Sequence, residues 1–331
     1  MADRRMAARH YDLNGVTLAV AADRPEAAGF LDFVLSPLAI DPTEKPDCRI
    51  AIETRGTLPP AARGLLQFEG ALPESLPAQL VRDGDLRTLD APGHYQAESL
   101  RGSDFVRVLV APGSDRWLTG TLAFWLLDEL LVGKGRIFLH AACLARPAGD
   151  AILIFAASGT GKTTTALALA RNGYGLMGDD VALLEFRDGR PWVWGLPRPI
   201  NLHRRTAAML SWIDPILRPW RGEEQSVPFD KLATCIDRAA AKARPCGAMV
   251  MLQPPNPEGH RAAPMARTEA MVQAAADNLR VAPGGLDEDG ELAFDALARL
   301  IAAVPVLQLE VGPDPDSLRP DILESAGVTA R

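Results

Sequence analysis

Apolar and polar positions along this chain fall into short segments of two periods. Alternating apolar runs over residues 16–21, 49–53 and 105–110 predict strands in the first third. Pro25 opens a helical segment reaching residue 36. Residues 57–77, with Pro59, Pro60, Pro73 and Pro77, predict a loop-prone stretch. Leu118, Leu122, Trp125, Leu126 and Leu130 recur at helical spacing and predict a helix over 117–132, packed under the domain that follows. From there short strands alternate with helices. Strands are expected at 136–144, 151–155, 174–178, 248–252 and 306–311, and a hairpin over 181–186 and 191–194 turning at Asp188-Gly189. Helices are expected from Lys162 to near Gly173, and over 269–281 and 291–303. Residues 254–264, with Pro-Pro-Asn-Pro, read as a loop prone to disorder. The organisation implied is a small β-rich or α+β domain over 1–112, carrying no motif tied to chemistry, and an α/β domain over 113–331. The first domain either recognises a partner or supports the sheet of the second.

Composition narrows the class without choosing a function. The 331 residues are 47% hydrophobic and 23% charged, as in ordinary globular proteins. A net charge of −7 argues against nucleic acid or an anionic membrane as partner. Cys48, Cys143, Cys235 and Cys246 are scattered without metal-ligand spacing, which suits a reducing cytoplasm. The charged start, with Arg4, Arg5 and Arg9, lacks the apolar segment of a signal peptide and reads as a solvated terminus. No window approaches a membrane span.

The informative stretch is 151–180. A buried-type strand, Ala151-Ile152-Leu153-Ile154-Phe155, leads into Ala156-Ala157-Ser158-Gly159-Thr160-Gly161 and then Lys162-Thr163-Thr164 at a helix start. Strand, glycine-containing loop and helix N-terminus together form an anion site, because amides without intrahelical partners point at the ligand and the helix dipole adds positive charge. Gly159 and Gly161 let backbone rather than side chains meet phosphates. On this reading Ser158, Gly159, Thr160, Gly161, Lys162, Thr163 and Thr164 bind the phosphates of ATP, Lys162 reaches the β/γ-phosphates, and the Thr163 hydroxyl takes Mg²⁺. The pattern GxxxxGK[ST] is met except that Ala156 replaces its first glycine.

Asp179-Asp180 follows at the end of the next strand. Beside a phosphate loop, one carboxylate can hold Mg²⁺ while the other orients the proton of an attacking hydroxyl; the plain alternative is a solvated turn. An ordinary aspartate, with a pKa of about 4, is a poor base. In a loose phosphoryl-transfer transition state, however, positioning matters more than basicity. Arg198, between Pro197 and Pro199, is either aimed at a phosphate or substrate carboxylate, or is a surface residue of a rigid turn. Exposed Trp212 and Trp220 beside arginines in 211–231 fit a peptide-binding lid or a packed loop.

The loop, Gly173, the Asp179-Asp180 pair and the preceding Leu139-His140-Ala141 together resemble the HPr kinase/phosphorylase family over residues 136–202. They look most like the HPr kinase-related serine kinases found with peptide-modifying systems, including lasso-peptide precursor kinases. Phosphoenolpyruvate carboxykinases share a similar loop. The resemblance implies a P-loop HPr kinase/PEP carboxykinase-like catalytic domain. It implies further that Asp179 is the acid/base, Asp180 its metal-side neighbour and His140 the active-site histidine. Without it, a lone histidine within a strand is more simply a core residue.

The departures are equally definite. The family's Ser-Glu after the lysine is Thr163-Thr164 here, and its metal-side glutamate falls on Trp192. The segment tied to the reverse reaction is therefore unrecognisable. The expectation is a cytoplasmic kinase without phosphorylase activity, acting on a serine of a peptide or small protein and, by family analogy alone, a homo-oligomer. A small-molecule hydroxyl kinase and a non-catalytic ATP-binding regulatory or assembly protein are the alternatives.

Overall fold

The computed structural model describes residues 8–239, 242–279 and 286–327, and the chain divides into two units, 1–136 and 137–331. Arg4, Arg5 and Val281 lie outside the described residues.

The first unit is built on one nine-stranded sheet. Its strands are β1 (Ala8–Asp12), β2 (Thr17–Ala22), β3 (Ala39–Ile40), β4 (Cys48–Thr54), β5 (Leu65–Ala71), β6 (Pro77–Asp83), β7 (Leu86–Ala91), β8 (Tyr95–Leu100) and β9 (Phe105–Val110), in the order β3-β1-β2-β4-β9-β8-β7-β6-β5. β2, β4 and β9 run parallel, whereas β5 to β9 form an antiparallel meander. The prolines of 57–77 do not keep that stretch a loop, because β5 lies between them and pairs with β6 as the edge strand. α1 (Gly29–Leu35) follows a 3₁₀ turn started by Pro25, and α2 (Gly120–Val132) packs on α1 and β9. The helix expected with the second domain therefore belongs to the first unit. Its buried positions, Leu122, Leu126 and Leu130 among them, face the first sheet, and its buried Glu129 pairs with Arg87 of β7 at 2.7 Å.

The second unit holds the candidate site. Its strands are β10 (Ile137–Leu139), β11 (Ala142–Ala145), β12 (Ala151–Phe155), β13 (Gly175–Gly178), β14 (Ala182–Arg187), β15 (Arg190–Gly195), β16 (Ile200–His203), β17 (Glu224–Val227), β18 (Arg244–Leu252), β19 (Arg261–Pro264) and β20 (Val306–Glu310). The main sheet runs β10-β14-β15-β18-β12-β11-β13, with β20 added to β18 and β19 to β20. β12, β18 and β20 are parallel, and β11, β13, β14 and β15 are antiparallel to their neighbours. The β14–β15 hairpin turns at Asp188 (φ 50°) and Gly189 (φ 76°), the positive pair that a two-residue hairpin favours.

Every residue of β12 is buried, as befits a strand paired on both sides. Its neighbours, with α3 (Lys162–Arg171), bring Ile152, Ile154, Leu167, Leu169, Val250 and Leu309 into one core. α4 (Arg204–Met209), α5 (Arg267–Asn278), α6 (Glu288–Ala303) and α7 (Asp321–Ser325) complete the unit. Residues 211–231 pack down: Ile213, Val227 and Phe229 are core, and Trp212 and Trp220 lie half-buried against it. Residues 254–264 are likewise ordered by pairing, since β19 joins β20 and the Asn256 amide donates to Val311. No helix among the described residues is long and apolar enough to cross a membrane.

Candidate functional site

Burial of β12 fixes where its loop emerges. Ala157, Ser158 and Gly159 are exposed, Thr160 and Gly161 partly so, and Lys162, the first residue of α3, is buried. Gly159 (φ 79°) and Gly161 (φ 104°) take left-handed backbone that side-chain-bearing residues avoid. Gly161 is the helix N-cap without a capping side chain, and the first intrahelical bond runs from Thr165 N to Gly161 O at 2.9 Å. The amides of Lys162, Thr163 and Thr164 therefore lack partners within the helix.

β13 ends in Gly178, and Asp179 and Asp180 follow directly. They sit where they do because two backbones touch. A Cβ on Gly195 would lie 2.4 Å from the Gly178 nitrogen, so only glycine allows the end of β15 to cross β13. Leu196 N then donates to Val181 O at 2.9 Å, which ties the segment carrying Arg198 to the one carrying the aspartates. Buried Pro197 and Pro199 flank Arg198 and fix its backbone. Sequence reading missed both glycines, although a glycine ending a strand is a signal of close backbone approach.

Three side chains converge on Asp180. Lys162 Nζ pairs with Oδ1, Arg198 Nη2 donates to Oδ2 at 2.5 Å, and His140 Nδ1 lies 3.4 Å from Oδ1. Lys162 Nζ also lies 3.0 Å from His140 Nε2. A lysine ammonium can only donate, so Nε2 accepts and the imidazole is neutral with its proton on Nδ1, toward Asp180. The electrostatics agree: burial, and then Lys162, push the His140 pKa below its ordinary value despite Asp180. Burial alone would raise Asp180, but Lys162 and Arg198 outweigh it and hold that carboxyl below the usual range.

Asp179 has the opposite fate. It is 5% exposed; its Oδ2 accepts from the Thr163 hydroxyl at 2.9 Å, and its Oδ1 is buried without a hydrogen-bond partner. Desolvation dominates over the nearby Lys162 and lifts its pKa to about 6. Two adjacent carboxylates are thus driven apart, one held ionised and the other poised to take a proton.

Most sequence-derived candidates therefore meet: His140, Lys162, Thr163, Asp179, Asp180 and Arg198. Within the group the Thr163 hydroxyl donates to Asp179, a contact beyond the expectation that Thr163 and Asp180 share a cation. Thr164 turns away, its hydroxyl 3.0 Å from that of Thr206 on α4. His140 is not mid-strand; it sits in the bend between β10 and β11, which pair with different strands. There its amide donates to Asn278 Oδ1 at 2.7 Å, a contact no sequence signal announces. Trp192 lies on β15 beneath the Arg187 guanidinium, 4.5 Å from its ring centroid. No described cluster of three acidic, histidine or cysteine side chains forms a metal cage. Thr163 and the aspartates are hard oxygen donors, and by donating its proton to Asp179 the Thr163 hydroxyl keeps its lone pairs for a cation. Such a partial set fits Mg²⁺, which usually keeps waters and takes phosphate oxygens as further ligands.

No family model matches the chain, and no curated protein matches it. Among solved structures it is similar to the Hpr(Ser) kinase/phosphatase from Coxiella burnetii, with a TM-score of 0.26 and 12% identity over 58% of this chain and 92% of that one. So distant a likeness adds nothing to the functional reading, which rests on the site's own geometry.

Proposed function

We propose that this chain is an ATP-dependent kinase that transfers the γ-phosphoryl group to a hydroxyl, a serine on a peptide or small protein, without the reverse phosphorolytic activity. Asp179 is the observation that carries the reading. A buried carboxylate with a pKa of about 6 and one unpartnered oxygen, bonded to the threonine after the loop lysine, has the protonation behaviour of a base working near neutral pH. Burial removes the weakness of an ordinary aspartate in that role.

The charge balance supports a phosphate ligand brought in with a cation. Asp179 and Asp180 offset Lys162 and Arg198, and His140 is neutral, so little net positive charge is left for a polyanion. Mg²⁺, held by Thr163 and Asp180, would supply that charge and draw electron density from the phosphate oxygens. The loop amides and Lys162 would orient the phosphates, Asp179 Oδ1 would receive the acceptor's proton, and Arg198 would hold Asp180 in place when Lys162 turns to the ligand. Serine on a peptide, rather than a small molecule, follows the motif resemblance.

The test is intact-mass spectrometry after incubation with Mg²⁺-ATP and the peptides or small proteins encoded beside the gene. A gain of about 80 Da on an acceptor is expected. Its rate should fall about 10²–10⁴-fold in Asp179→Asn with ATP still bound. Nucleotide that binds and stays intact with every acceptor would overturn the proposal.

A further inference from the structure

We infer that Asn278, the last residue of α5, is a positioning residue: its side-chain amide holds the His140 backbone and, through it, the imidazole against Lys162. Its effect on rate rests on the kinase reading above; its effect on His140 rests on geometry alone.

The need for such a residue comes from sheet topology. β10 pairs with β14, while β11 pairs with β12 and β13, so the chain leaves one part of the sheet for another at His140 and Ala141. In that bend the His140 amide has no strand partner, and a half-buried amide left without an acceptor is costly. Asn278 Oδ1 accepts from it at 2.7 Å, while Asn278 Nδ2 donates to the Ala274 carbonyl at 2.8 Å. One partner can only donate and the other only accept, so the amide has a single orientation.

α5 is itself tied to the sheet. Gln273 Oε1 accepts from Gln253 Nε2 at 3.1 Å, just past the end of β18, the strand beside β12. Asn278 therefore stands on a helix registered to the strand that neighbours the one feeding the glycine loop. What it holds is one bond from the loop lysine, because His140 Nε2 accepts from Lys162 Nζ at 3.0 Å. Loss of the amide anchor frees His140 in a bend, and with it the group that sets where Lys162 rests.

Two full-length variants test this. Asn278→Ala removes the acceptor, and Asn278→Asp keeps an oxygen in its place. The chain has five histidines, so ¹⁵N-histidine labelling gives a spectrum simple enough to follow amide exchange at His140. Exchange there should speed roughly tenfold or more in Asn278→Ala and stay close to wild type in Asn278→Asp, with the His260 amide unchanged in both. Equal His140 exchange in wild type and Asn278→Ala overturns the inference. In the transfer assay Asn278→Ala should lower kcat about tenfold, the scale of a small misplacement of a reacting group, with KM for ATP nearly constant; Asn278→Asp should recover most of that. Equal kcat losses in the two variants would also overturn it. If no acceptor is phosphorylated by wild type while His140 exchange responds as stated, the kinase reading fails and the anchoring of His140 stands.

Discussion

Replacing Asp179 by asparagine removes one charge from a buried site and almost nothing else. The carboxyl is 5% exposed and its pKa is about 6 in the folded protein, against 3.8 for an ordinary aspartate. Below about pH 3 it is protonated in both folded and unfolded chains and costs no charge burial. As pH rises toward 6 the unfolded chain gives up its proton first, so the folded state binds more protons and stability falls with pH. The loss is complete above pH 6. A gap of about two pKa units corresponds to about 3 kcal/mol at roughly 1.4 kcal/mol per unit. An asparagine at this position carries no charge, so the ligand-free variant should be about 3 kcal/mol more stable than wild type at pH 7.5, with the gain fading to near zero at about pH 3. For a unit of this size that is roughly 6–12 °C in melting temperature. Thermal melts of both proteins across this pH range, without nucleotide or metal, read it directly. A variant no more stable at pH 7.5, or a difference that does not change with pH, would show that Asp179 is not a buried ionised carboxylate and would remove the base from the proposed mechanism.

Three further changes probe the rest of the site. Lys162→Ala removes the ammonium between Asp180 and His140 and should cut transfer about 10²–10³-fold, as for loss of one preorganised charge-stabilising donor, measured at saturating acceptor. Gly195→Ala puts a methyl 2.4 Å from the Gly178 nitrogen, where only backbone can yield; a loss of about 3 kcal/mol, the upper end for overpacking, is expected in urea denaturation. Asp180→Asn removes the carboxylate that Lys162 and Arg198 share. Metal-free ATP should then bind severalfold tighter in calorimetry, since a partly exposed ion pair contributes about 0.2–1 kcal/mol; unchanged affinity would mean that Asp180 does not compete for these cations.

What could be read from the sequence was local. The strand, loop and helix over 151–171 are contiguous, so apolar run, glycines and lysine sufficed to foresee them, and the β14–β15 hairpin followed from Asp188-Gly189. The strand β5 was hidden among prolines because its existence depends on β6, with which it pairs, and not on its own pattern. The helix α2 has the same limit. An apolar stripe says that a helix is covered but not by which sheet, and the pair Arg87–Glu129 that helps settle it spans the fold. His140 was placed within a strand because Leu139 and Ala141 flank it with apolar residues; the strand breaks there since its two halves have different partners. Asn278 lies 138 residues from His140, and no periodicity links positions so far apart.

The site's chemistry was half legible for a related reason. An Asp-Asp pair announces two carboxylates, but equal residues carry equal intrinsic acidity, and only the environment separates them. Alternation along the chain points the two side chains differently. Asp179 turns inward, where desolvation raises its pKa and Thr163 takes one oxygen, and Asp180 turns to Lys162, Arg198 and His140, which keep it ionised. The resting arrangement follows: Lys162 is engaged by a carboxylate rather than left as an open cation. An anion entering at the loop must win Lys162 from Asp180, and it meets an already compensated site unless it brings positive charge of its own. A bare anion pays for opening that pair, whereas a metal-bound one supplies Asp180 with a replacement partner. Selection for a metal–phosphate complex over free phosphate would then reside in the Lys162–Asp180 pair as much as in the glycine loop.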